Sequence, residues 1–149
     1  MEASTDLFFV FIFVKIGLDL FKSQVAWLNG PFPAGMSYRT IATTQGLADV
    51  VPDGKLCVGD KGYSSIDFFS TRNSLDCPAV KVFKKRALAR HETFNKRLKD
   101  FNCLSDRFRH GKKKFIRAFR ACVVITQINM DLGAPLFDTL CKECDPDRQ

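Results

Sequence analysis

The chain has no apolar run long enough to cross a bilayer as a helix. Its longest, Leu7 to Val14, is eight residues and stops at Lys15, against about 20 for a spanning helix. These residues do not read as a secretory leader either. Glu2 and Asp6 are acidic where a leader is basic, and no small-residue cleavage site follows. Phe, Val and Ile dominate the run, so a buried strand is the expectation. Six cysteines are present, but the single C-x-x-C, Cys141 to Cys144, has no second pair and no H-x-H to complete a zinc set. Cys57 and Cys122 lie inside apolar runs and read as small core residues, and a reducing compartment is the simpler assumption. No internal repeat is visible. Acidic residues are scarce in one stretch of the chain: Lys81 to Arg120 holds 15 of the 23 Lys and Arg and only Glu92, Asp100 and Asp106.

At 149 residues this is one domain or part of one. A hydrophobic fraction of 46% and 15 Phe are enough for a packed interior and argue against disorder. That basic stretch carries +12 within a whole-chain charge of +7, so the remainder is net acidic. Such a balance favours an anionic partner, either nucleic acid or an acidic membrane surface. A solvated basic helix face would produce the same count.

Along the chain, residues 7–14, running on toward Leu20, and Gln24 to Leu28 predict an antiparallel hairpin turning at Phe21-Lys22-Ser23. Asn29 to Gly35, with Pro31 and Pro33, predicts a fixed loop. Ser37 to Leu47 predicts a short helix ended by Gly46. A Pro52-Asp53-Gly54 turn then leads into a strand ending at Asp60. Ile66 to Ser70 predicts a helical turn, and Ala79 to Phe83 a short strand. From Lys84 the period becomes helical: Ala87, His91, Phe94, Leu98 and Phe101 share one face of a helix ending near Asn102. Phe115 to Met130 predicts a second helix with a basic start, stopped by Gly133-Ala134-Pro135. The order implies an α/β fold with helices packed on a mixed sheet. The expected organisation is an apolar N-terminal extension or strand over 1–14, a domain over 15–137, and a disordered tail over 138–149.

Two stretches carry chemistry. In Lys55-Leu56-Cys57-Val58-Gly59-Asp60-Lys61-Gly62-Tyr63 a short apolar strand ends on a carboxylate between two glycines, which delivers Asp60 to the rim of a sheet. In Ala89-Arg90-His91-Glu92-Thr93-Phe94-Asn95-Lys96-Arg97 a single glutamate sits among bases on a helix. An Asp at a strand end and a Glu on a later basic helix are two parts of a metal-dependent phosphodiester-cleaving site. There, hard oxygen ligands hold Mg²⁺ or Mn²⁺ and basic residues hold the phosphates. Each acid also has a plainer use: Asp60 as a turn cap, Glu92 as an i,i+4 partner for Lys96. His91, on the apolar seam, reads as a satisfied core-edge histidine. Trp27, Phe32 and Tyr63 read as core.

These two stretches, together with Trp27-Leu28-Asn29-Gly30-Pro31-Phe32-Pro33-Ala34-Gly35 upstream and Phe108-Arg109-His110 with the Phe119 to Asn129 helix downstream, resemble the nuclease domain of DDE endonucleases. The Harbinger-type transposases and their protist relatives are the group it is most similar to, and the likeness runs in order over roughly residues 15–137. The resemblance implies a ribonuclease-H-like fold with its first strand missing, and metal-dependent cleavage and joining of DNA. It places Asp60 and Glu92 as catalytic and metal ligands for Mg²⁺ or Mn²⁺. Lys61, Lys84, Lys85, Arg86, Arg90, Lys96, Arg97 and Lys99 would lie on phosphates. DNA is the implied partner, with an accessory DNA-binding transposon protein, no membrane and a nuclear location. The sequence departs from the family in having no identifiable first acid. Asp6 and Asp19 are the upstream aspartates, and Asp19 sits late in the hairpin strand, where the family pattern does not place a ligand. The segment after the Pro-Gly loop lacks the family's Asp, and no helix-turn-helix precedes it. The expectation is therefore a truncated or decayed copy, weakly active or inactive alone. The rival functions are a non-catalytic nucleic-acid-binding or protein-interaction remnant on the same fold, and a basic protein anchored to a membrane by the Phe-rich N-terminus.

Overall fold

The computed structural model describes residues 12–33, 35–106 and 108–139. The first element described is a hairpin of β1 (Ile12–Leu18) and β2 (Val25–Pro33), paired antiparallel. The turn between them is held by Asp19. Its amide donates to the Gln24 carbonyl at 2.9 Å, and its carboxylate accepts the amides of Phe21 and Lys22 at 2.7 and 2.8 Å. Partial burial pushes that carboxyl up, but the Lys22 and Phe21 amides, with the charges of Lys22 and Arg90, outweigh it and leave Asp19 below the ordinary carboxylate value. Residues 7–11 of the expected first strand lie outside the described residues.

The loop expected from Asn29 onward is instead a continuation of β2 as far as Pro33. Proline cannot donate to a ladder, so strands tolerate it at an edge or a bulge. Both conditions hold here. Among the described residues β2 has β1 as its one strand neighbour, and the register slips between Phe13 and Lys15 opposite the Gly30–Pro31 bond, which is cis.

Helix α1 (Tyr38–Thr44) opens on Ser37, whose Oγ accepts the Thr40 amide at 3.1 Å. Gly46, at φ 78°, turns the chain into the one-turn α2 (Leu47–Val50). The Pro52 to Lys55 turn then feeds β3 (Cys57–Val58). β3 pairs in parallel with β4 (Phe69–Ser70); of the helical turn expected over Ile66 to Ser70 a single turn closes, the Phe69 amide donating to the Ile66 carbonyl at 3.0 Å, and its last two residues are strand.

Helix α3 (Pro78–Lys99) begins earlier than its apolar period indicates and absorbs the strand expected at Ala79 to Phe83. Pro78 sits at the first position of the helix, where its fixed φ is an asset and its missing N–H costs nothing. The valines that read as strand, Val80 and Val82, lie on the outer face at 38% and 37% exposure. After the short α4 (Asn102–Ser105) comes α5 (Lys112–Asp131), ended beyond Leu132 by Gly133 at φ 120°.

Helices cover the hairpin on both faces. On one, Phe94, Leu98, Cys122, Val123 and Met130 from α3 and α5 pack with Ile16, Leu18, Val25 and Leu28. On the other, Trp27 and Phe32 pack with Ile41, Met36 and Leu47. α3 also packs against β3, which ties the parallel pair to the hairpin through a shared helix. The architecture is mixed α/β. Among the described residues no helix is long and apolar enough to cross a membrane.

The segment after α5 belongs to the folded unit beyond the expected limit at residue 137. Thr139 is buried and its Oγ1 donates to the Leu20 carbonyl at 2.8 Å. Residues 140–149, with Cys141 and Cys144, lie outside the described residues.

Candidate functional site

Asp60 leaves the C-terminal end of β3 because Gly59 lets the backbone pass under an aromatic stack. A Cβ at Gly59 would meet the Phe69 ring at 2.6 Å. The Asp60 carboxylate then accepts the Gly62 amide at 2.9 Å and caps a 3₁₀ turn over Lys61–Tyr63. The capping role is thus present, and it occupies one carboxylate oxygen. Tyr63 stacks on Phe69 with centroids 4.4 Å apart, and Tyr38 tilts onto Tyr63 at 5.0 Å. Burial, with the Asp60 carboxylate next in weight, pushes the Tyr63 hydroxyl up to about 12, so it stays protonated.

A cation from the hairpin completes this cluster. The Lys15 ammonium lies 4.0 Å above the Tyr38 ring and 5.7 Å from that of Tyr63. Burial lowers its pKa, and the Asp60 charge opposes that shift. Sequence reasoning passed over Lys15. Its signal was a lone charge interrupting an apolar strand.

Glu92 is exposed near the middle of α3. Its neighbour His91 fixes this part of the helix to the hairpin. The His91 Nε2 meets the Ile16 carbonyl at 3.0 Å, and its Nδ1 meets the Asn95 amide nitrogen at 3.2 Å. The pairing suits Nε2–H as donor and Nδ1 as acceptor, with both ring nitrogens used and none left as a base. β1 therefore reaches both acids' surroundings: the Lys15 side chain goes to the Asp60 cluster, and the Ile16 carbonyl goes to the turn of α3 that bears Glu92.

Two carboxylates fall short of a two-metal centre. Among the described residues no three of His, Cys, Asp and Glu gather into a metal-holding group.

The eight basic residues expected on phosphates divide into two groups. Lys84 is buried, and its ammonium donates to the Thr71 carbonyl at 2.7 Å and to the Asp76 carboxylate at 2.9 Å. Arg86, Arg90 and Arg97 hold the segment after α5 by its carbonyl oxygens. Arg86 donates to Asp138, Arg90 to Leu136 and Phe137, and Arg97 to Ala134 and Pro135. Arg90 also donates to the Lys22 carbonyl at 2.6 Å, so one guanidinium, 1% exposed, ties α3, the hairpin turn and the final segment together. For Lys84 and Arg90, both buried, the expectation of phosphate contact is corrected, because their donors point inside the protein; Arg86 and Arg97 are half-buried and keep part of the guanidinium at the surface. Lys61, Lys85, Lys96 and Lys99 are exposed. A cleft between the ends of α3 and α5, lined by Arg97, Asp100, Phe101, Thr126, Asn129 and Ala134, includes neither acid.

Comparison with protein-family models, with curated proteins and with solved structures gives no match.

Proposed function

We propose that this chain is a transposase-derived DNA endonuclease and strand-transfer domain of the ribonuclease-H-like kind, weakly active or inactive by itself. The observation that carries the reading is the delivery of Asp60 from the end of a parallel strand, with the helix that bears Glu92 packed against that same strand. The order of hairpin, parallel pair and long basic helix agrees with the family resemblance. On this reading Lys61, Lys85, Lys96 and Lys99 follow the phosphate backbone without reading bases. Asp60 and Glu92 offer a divalent cation, Mg²⁺ or Mn²⁺, a weak two-carboxylate foothold, and the protein works on DNA in the nucleus, beside an accessory DNA-binding protein.

The shortage of ligands favours a second reading, in which the domain binds nucleic acid and does not cut it. Supercoiled plasmid incubated with the purified protein and Mn²⁺ separates a weakly active domain from one that only binds. The first reading expects slow nicking that Asp60→Ala and Glu92→Ala each remove. The second expects salt-dependent binding with no nicking. Robust nicking that survives both substitutions overturns the assignment of these acids.

A further inference from the structure

The Cys103 and Cys122 sulfurs lie 3.6 Å apart, as free thiols in hydrogen-bonding contact. Cys103 is exposed on the single turn of α4, whereas Cys122 is buried in the core under α5. A disulfide bond is about 2.05 Å long, so closing the pair needs an approach of about 1.5 Å. α4 can supply it. The helix is four residues long, with Asn102, Cys103 and Ser105 on the outside. Phe101 and Leu104 rest on the same core cluster that holds Cys122 and so keep the turn beside it. Among the described residues, Cys57 and Cys77 make no thiol contact of this kind.

We infer that Cys103 and Cys122 are an oxidisable pair, in which the surface thiol meets the oxidant and the buried one closes a disulfide behind it. The natural reagent class is a small disulfide such as oxidised glutathione. The Cys103 thiolate attacks one glutathione sulfur and expels the other half as glutathione thiolate. Cys122 gives up its proton and attacks the Cys103 sulfur, expelling the second glutathione. Two protein thiols become one disulfide, and the two electrons leave on two molecules of reduced glutathione. Burial, and then the contact with Cys103, pushes the Cys122 thiol up to about 11. That thiol stays protonated and sheltered until the mixed disulfide is in front of it. The bridge would close a loop containing Arg109, His110 and the Lys112 to Lys114 start of α5, and so tie down the basic entrance to that helix.

The test treats the full chain with oxidised glutathione and maps its cysteines by mass spectrometry of a non-reduced digest. The expected product is a peptide pair joined through Cys103 and Cys122, with a thermal midpoint about 6–12 °C above that of the reduced protein. Cys122→Ala should trap glutathione on Cys103, and Cys103→Ser should leave Cys122 reduced. A wild-type chain that ends with glutathione stably on Cys103, or bridged to a different cysteine, overturns the inference. Should Cys122→Ala fail to fold, the wild-type and Cys103→Ser maps decide the question between them.

Discussion

Replacing Arg90 by methionine keeps the length of the side chain and removes its charge and donors. In the native protein that guanidinium serves the carbonyls of Leu136, Phe137 and Lys22, all from a position 1% exposed. Among the described residues its Nε is buried with no partner, so the arrangement already bears one desolvated N–H. Hydrogen bonds to a charged group contribute about 1.5–3 kcal/mol each, but methionine also relieves the cost of burying the ion. The balance is a loss of about 3–5 kcal/mol, because three carbonyls are stranded at the meeting of α3, the hairpin turn and the final segment. Against a total stability of about 5–15 kcal/mol, the urea midpoint should fall by roughly 1.5–3 M. Urea unfolding followed by circular dichroism reads this directly, with DNA affinity measured on the same samples at a urea-free reference. A midpoint within 0.3 M of wild type (roughly 0.5 kcal/mol), with DNA affinity sharply reduced, would refute the internal role and return Arg90 to the phosphate-binding surface.

The exposed lysines should behave in the opposite way. Lys85→Gln, Lys96→Gln and Lys99→Gln each leave stability within about 0.5 kcal/mol. Every lysine that sits on a phosphate should, when neutralised, flatten the slope of log affinity against log salt by about 0.9; fluorescence anisotropy across a salt series measures it. Gly59→Ala should cost about 1–3 kcal/mol in thermal unfolding, because its Cβ would stand 2.6 Å from the Phe69 ring. Asp76 gives a pH signature: the Lys84 hydrogen bond, and then the Asn73 amide, hold its carboxyl below the usual carboxylate value. A depressed folded pKa means that the stabilisation is whole above the unfolded value of about 3.9 and drains away as pH falls through the folded one. Lys84→Met should shrink that acid-side loss to the part the Asn73 amide sustains, and unfolding midpoints collected between neutral and acidic pH will reveal it.

What the sequence made legible followed local chemistry. α5 was readable because its apolar period, basic start and Gly-Ala-Pro stop all agree. The Asp60 turn was readable because glycine on both sides of Asp-Lys leaves the chain few other courses. The start of α3 was not, since Val80 and Val82 prefer strands and only Pro78 signals a first helical turn. β2 was cut short at Asn29 because proline argues against a strand, yet an edge position and a register slip remove the objection. The double use of the basic helix was the deepest gap. Arg90 and Lys99 look alike in sequence, and the carbonyl that claims Arg90 belongs to Leu136, 46 residues away. Likewise, the closeness of Cys103 to Cys122 depends on how α4 folds back on α5, which no spacing rule conveys.

The central claim is that Asp60 and Glu92 act on a shared cation. Titration of the purified protein with Mn²⁺, followed by electron paramagnetic resonance of the free ion, tests this most directly. The expected result is one weak site that disappears in Asp60→Ala and equally in Glu92→Ala. A site that survives either substitution, or Mn²⁺ left wholly free by the wild-type chain, would contradict the claim.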